Sequence, residues 1–139
     1  MILTDPYRAG LDLISRTGAG QDPLRNRAAE VAPDFVRLAI GFSYGEIFSR
    51  PGLDLKYRAL AAVAAHAAMA ISPPQLRTHV AAALHLGWTK QEVIEVLIQT
   101  ASHAGVPAAL NALAECHALL VERDPDCQSC GEASSEGQL

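Results

Sequence analysis

Aromatic side chains are scarce in this chain, with one Trp, three Tyr and three Phe in 139 residues. Sheet sandwiches and barrels fill their cores largely with aromatic and β-branched residues, so this shortage argues against an all-β fold. Cysteine occurs only three times, too rarely for a disulfide scaffold. Positive charge is short as well. Eleven Lys and Arg face fifteen Asp and Glu, a net charge of -4, which disfavours nucleic acid or an anionic membrane surface as a partner. The longest apolar stretch, Leu60 to Ile71, is interrupted by His66 and falls short of the roughly 20 residues that span a bilayer. The opening MILTDPYRAG carries Asp5 and no apolar signal region, so the cytoplasm is the expected compartment. Also missing are a Gly-rich phosphate loop, a His-Glu-x-x-His helix, a Gly-x-Ser-x-Gly elbow and any paired metal-ligand spacing, so no metal site is expected.

What the sequence has in quantity is alanine, 25 residues in all. Alanine has the highest helix propensity and too little bulk to fill a sheet core. The expectation is an all-α fold, in one domain over residues 1–124. A flexible polar tail over 125–139 should follow, because that segment is Gly/Ser-rich and lacks any apolar period.

Caps and breakers divide the domain into six expected helices. Asp5 caps the first, Pro6 to Arg16, which ends at the Thr17–Gly20 turn. The second runs from Pro33 to about Phe48 and is stopped by Pro51-Gly52. Asp54 caps a third, Leu55 to Ala70. A Ser72/Gln75 capping box opens the fourth, Pro73 to Leu86, and a Thr89/Glu92 box opens the fifth, Lys90 to Ala104. Pro107 begins the sixth, which reaches about Arg123. From Ala59 to Ala70 the third helix is apolar on every face except at His66. A chain of this size has difficulty enclosing such a helix alone, so an oligomer is expected.

Isolated polar residues in the Ala-rich body are the candidates for chemistry. Glu46 and Arg50, four residues apart beside Tyr44 and Phe48, read either as a surface ion pair or as a partly desolvated acid beside a cation. His79 lies mid-helix among small neighbours, where a core histidine bonded to a carbonyl is the plainer reading. His103 ends a polar line with Glu92, Glu95 and Gln99, which by itself suits a solvated face. His66, His85 and His117 read as packing or surface residues. Cys127-Gln-Ser-Cys130 is a lone C-x-x-C with no second pair for zinc, and Cys116 reads as a small buried apolar residue.

The segment Tyr44 to Leu120 resembles the carboxymuconolactone decarboxylase family. The resemblance is carried by YGEIFSRPGLDLKYRAL, the Ala-rich helix after it, and LRTHVAAALHLGWTKQEVIEVLIQTASHAGVPAALNAL. It implies an all-helical, alkylhydroperoxidase-like bundle assembled as a trimer or hexamer, with active sites near subunit contacts. The implied reaction is cofactor-free loss of CO2 from a small carboxylated lactone such as γ-carboxymuconolactone. On that resemblance His79 and Glu46 are the acid–base groups, and Arg50 and Arg58 bind substrate carboxylates. His103 stands where the decarboxylases often carry Tyr, and is placed with the catalytic residues. Gln99 stands where many members carry His, and is placed with the substrate-binding residues. Redox members of the superfamily have a C-x-x-C four residues before the equivalent histidine; here that place reads Ser72-Pro73-Pro74-Gln75. A lyase and a redox or non-catalytic binding member both stay open at this point.

Overall fold

Two Asp-Pro pairs open the first two helices. In α1, Pro6–Arg16, the Asp5 carboxylate accepts the Tyr7 N–H at 3.1 Å. In α2, Pro23–Val31, Asp22 accepts the N–H groups of Leu24 and Arg25 at 3.1 and 3.3 Å. Each carboxylate satisfies donors that the first helical turn leaves unpaired, and proline at the next position has no N–H to lose. The computed structural model describes residues 5–18, 22–70 and 73–121, and every regular element among them is helical.

After α2 come α3, Pro33–Ile40, and an eight-residue π-helix, Gly41–Phe48. After the turn at 49–54 come α4, Leu55–Met69; α5, Pro73–His85; α6, Lys90–Gln99; α7, Ala101–Ala104; and α8, Val106–Glu115. The last described helix is α9, His117–Leu120. The all-α expectation holds, and α1 has the expected bounds.

The six expected helices differ from those present by one addition and three breaks. The addition is α2, whose nine residues bury no side chain, so it carries little apolar pattern to read. The second expected helix changes at Gly41 from α to the wider π geometry. The fifth breaks at Thr100, whose hydroxyl donates to the Val96 carbonyl at 3.1 Å, a local bond that bends helices. The sixth breaks at Cys116, where φ and ψ of -94° and 7° leave the helical region. The Thr89/Glu92 box is present in full. Ser72, and with it the proposed box at the head of α5, lies outside the described residues, as does 125–139 with Cys127 and Cys130.

The principal core is shared by α4, α5, α6, α8 and α9, around Val63, Val80, Val93, Leu97 and Cys116. Alanines 59, 67, 83 and 112 lie between these larger side chains and let the helices approach. Trp88 braces the head of α4: its indole N–H donates to the Lys56 carbonyl at 2.8 Å, and its ring meets Tyr57 edge-on at 5.5 Å.

The N-terminal helices form a second layer, in which α1 packs on the π-helix. Gly45 makes this contact possible, since a Cβ there would collide with the Pro6 carbonyl oxygen. Gly45→Ala should therefore push α1 off the π-helix and cost about 1–3 kcal/mol. Thermal melting of the variant should shift down by several degrees, and an unchanged midpoint would count against this packing. Two contacts join the layers near the functional residues. The Gly18 turn, with φ +69°, passes directly over the His85 ring, and Gln75 of α5 donates to Asp22 at 3.1 Å. Among the described residues no helix is long and apolar enough to cross a membrane.

Candidate functional site

His79 sits in the middle of α5 with 9% of its surface exposed. Its ring lies against that of His66 from α4, with centroids 4.3 Å apart and planes inclined by 37°. His66 is the one polar residue of α4 beyond Arg58, and its place there has a local reason. Its Nδ1 is 2.9 Å from the Ala62 carbonyl oxygen one turn back. A carbonyl only accepts, so Nδ1 carries the hydrogen and Nε2 remains for another partner.

Asp22 reaches the same region from the head of α2. Its carboxylate is buried, with 6% of the residue exposed. It caps α2 and also accepts the Gln75 amide, one helical turn before His79. The cap thus ties the N-terminal layer to the helix that carries the histidine.

Burial first, and then the adjacent His66, lower the His79 pKa, and with Asp22 opposing both it comes to about 4. The imidazole is therefore uncharged at neutral pH, fit to donate one hydrogen bond or accept a proton. Tyr44 of the π-helix belongs to the same electrostatic neighbourhood. Burial raises its pKa, the Arg25 charge lowers it, and Asp22 raises it. Asp22, Arg25, Tyr44, His66, Gln75 and His79 thus form a polar cluster between the two layers.

Residues 33–118 match the Carboxymuconolactone decarboxylase family. The chain belongs to that family. It is 32% identical over 111 residues to the 4-carboxymuconolactone decarboxylase of Acinetobacter baylyi, covering 77% of this chain and 81% of that protein. It is also 37% identical over 84 residues to an uncharacterized 15.0 kDa protein from the nqo9-nqo10 intergenic region of Paracoccus denitrificans. That alignment covers 60% of this chain and 63% of the Paracoccus protein.

The remaining residues expected to act in this decarboxylase-family chain are spread over the molecule. Glu46 is exposed and lines a groove with Asp5, Asp34 and Arg37, where Arg37 pairs with Asp5 at 3.1 Å. Arg50 is exposed in the turn beyond the π-helix, and among the described residues no ion pair joins it to Glu46. Arg58 uses its guanidinium to hold that turn, donating to the carbonyls of Leu53 and Arg50 at 3.0 Å each. Gln99 and His103 come together on another face, along a groove of about 580 Å³ with Tyr57, Ala61 and Ala64. His103 Nδ1 there lies 2.8 Å from the Ser102 hydroxyl.

The sequence reading leaves out Asp22, Arg25 and Gln75 as site residues and takes His66 for packing. A signal for Asp22 exists, because Asp22-Pro23 repeats the helix-opening grammar of Asp5-Pro6. Nothing in the spacing pairs His66 with His79, which lie on different helices. Cys116 is buried, and burial pushes its thiol up to about 11 against the lowering effect of Arg77. Such a thiol stays protonated and is a poor nucleophile.

Proposed function

We propose that this protein is a cofactor-independent carbon–carbon lyase that decarboxylates a small carboxylated lactone of the 4-carboxymuconolactone type. The observation that carries the reading is the buried, uncharged His79 stacked on His66 in a chain of this family. As CO2 leaves such a lactone, the electron pair of the broken C–C bond moves through the ring alkene onto the lactone carbonyl. The resulting dienolate needs a hydrogen-bond donor at oxygen and a proton at carbon. An imidazole pair supplies both kinds of group with no metal or electron carrier. Glu46 and Arg50, exposed in the single chain, would reach such a site from a neighbouring copy, with Arg50 suited to a substrate carboxylate. Incubation of 4-carboxymuconolactone with the pure protein should release CO2 at a rate proportional to enzyme. Absence of release above the spontaneous rate would remove the reading.

The assembly belongs to the same proposal, as three or six copies. It is supported by the face of α4 that the described residues leave open: Tyr57, Ala61, Ala65 and Ala68 line the 580 Å³ groove with Val96 of α6. Along α3 and its flanks, Val31, Phe35, Leu38 and Phe42 are exposed as well. Apolar areas of this extent mark protein contacts.

A thiol peroxidase makes the opposite forecast from a lyase. Ser72 and Gln75 stand where the redox chemistry needs sulfur, and a serine hydroxyl cannot pass through sulfenate and disulfide. Cys127→Ser with Cys130→Ser should therefore leave CO2 release within about twofold of wild type, and neither protein should reduce an organic hydroperoxide. Thiol-dependent hydroperoxide turnover without decarboxylation would reverse the assignment.

A further inference from the structure

A chamber of about 370 Å³ opens between α4, α5 and α8, at the low end of the size range for small-molecule pockets. His66, Ala67, Leu76, Asn111, Ala112 and Glu115 are among its walls. His79 is not among the residues that line it; His66 is, and His66 also carries the ring contact to His79. We propose that this chamber is the substrate site and that His66 is the member of the histidine pair that touches the ligand, with His79 positioned behind it. The inference rests on the lyase reading for its chemistry, though the ligand site can be tested without it.

Three features of the chamber select a ligand class. Ala67, Leu76 and Ala112 give it an apolar floor that fits a small ring. The Asn111 amide offers both a donor and an acceptor to ring oxygens. Glu115 is ion-paired with Arg77, so its negative charge is met, and the further N–H groups of that guanidinium can hold an incoming carboxylate beside it. A small oxygen heterocycle bearing a carboxylate matches all three.

The orientation of His66 fits the proton transfer. Nδ1 is occupied by the Ala62 carbonyl, which leaves Nε2 for the ligand. In the proposed step the bond to the departing carboxylate breaks and CO2 leaves. Its electron pair passes through the alkene to the lactone oxygen, and the ring carbon takes a proton from Nε2 of protonated His66. The imidazole returns to its Nδ1–H form and regains a proton from water, so one proton is consumed for each CO2. His79, held neutral by burial and by the His66 charge, does not compete for that proton. The charged and titratable groups around the pair are Asp22 from the head of α2, with Arg25 and Tyr44 beside it, and the Glu115–Arg77 pair at the chamber.

The test follows histidine ring resonances of the full chain by NMR while a saturated γ-butyrolactone carboxylate, which cannot react, is added. His66 signals should shift on binding. Ala114→Phe, which fills the chamber from an exposed wall position, should abolish that shift. His66→Gln keeps a donor for the Ala62 carbonyl but holds no transferable proton. It should lower kcat by about 10²–10⁴-fold with a much smaller change in KM, and remove one limb of the pH–rate profile. Probe binding at the chamber in a protein that releases no CO2 would uphold the ligand site and remove only the lyase reading. His66 signals that ignore the probe, or wild-type kcat in His66→Gln, would overturn the inference while leaving decarboxylation by other residues standing.

Discussion

His79→Ala should slow CO2 release from the lactone by up to about 10²–10⁴-fold, the weight of the acid–base group that it holds in position. The side chain is buried against His66 and one turn from the Gln75–Asp22 hydrogen bond, so its removal frees the His66 ring to turn and admits water behind it. Truncation also leaves a cavity, which could lower activity through stability alone. His79→Gln fills most of that space and separates the two causes. A folded His79→Gln protein with wild-type kcat would exclude any part for the ring in turnover.

The same histidine makes stability depend on pH, with a fixed sign. Its pKa is about 4 in the fold against an ordinary 6.5. Between those values the unfolded chain binds more protons than the folded one, so acidification favours unfolding. This contribution is complete above pH 6.5 and is lost progressively as pH falls to about 4, amounting to about 3 kcal/mol. Urea unfolding of wild type and His79→Gln across that range should show the flatter dependence in the variant.

How much of this could be read from residues alone depended on whether the cause was local. The Asp5 cap, the Thr89/Glu92 box and the Gly105 stop are short-range features, and each marks a helix end in the structure. The π-helix was not legible in any residue spacing, and the close approach of Gly45 to Pro6 of α1 is tertiary. Glu46 and Arg50 looked like face-sharing neighbours at four-residue spacing, but the helix ends at Phe48 and Arg50 lies in the following turn. Arg58 suited a carboxylate by chemistry, and it meets two main-chain carbonyls. The family resemblance brought His79 forward, whereas its surroundings come from four separate segments. Asp22, Tyr44, His66 and Gln75 converge only when the N-terminal layer closes on α5.

Val63→Asp and Ala64→Asp, one residue apart on α4, should fail in different ways. Val63 has no exposed surface and lies in the core, where a carboxylate would find no partner. Loss of the apolar side chain together with an uncompensated buried charge should cost about 3–5 kcal/mol, a large part of the ~5–15 kcal/mol that holds a domain folded. That variant should be insoluble or molten, with a collapsed urea midpoint. Ala64 is half-buried and faces the groove shared with Gln99 and His103. In a lone chain its new carboxylate can remain hydrated, so the fold should survive with near wild-type helicity. In a trimer or hexamer built on that groove the charge would be desolvated against a neighbouring subunit, and sedimentation should show a folded monomer. If wild type itself sediments as a stable monomer at micromolar concentration, the groove is not an interface. If Ala64→Asp leaves a wild-type oligomer intact, assembly uses another face, for which the exposed stripe of Val31, Phe35, Leu38 and Phe42 would be the next to charge.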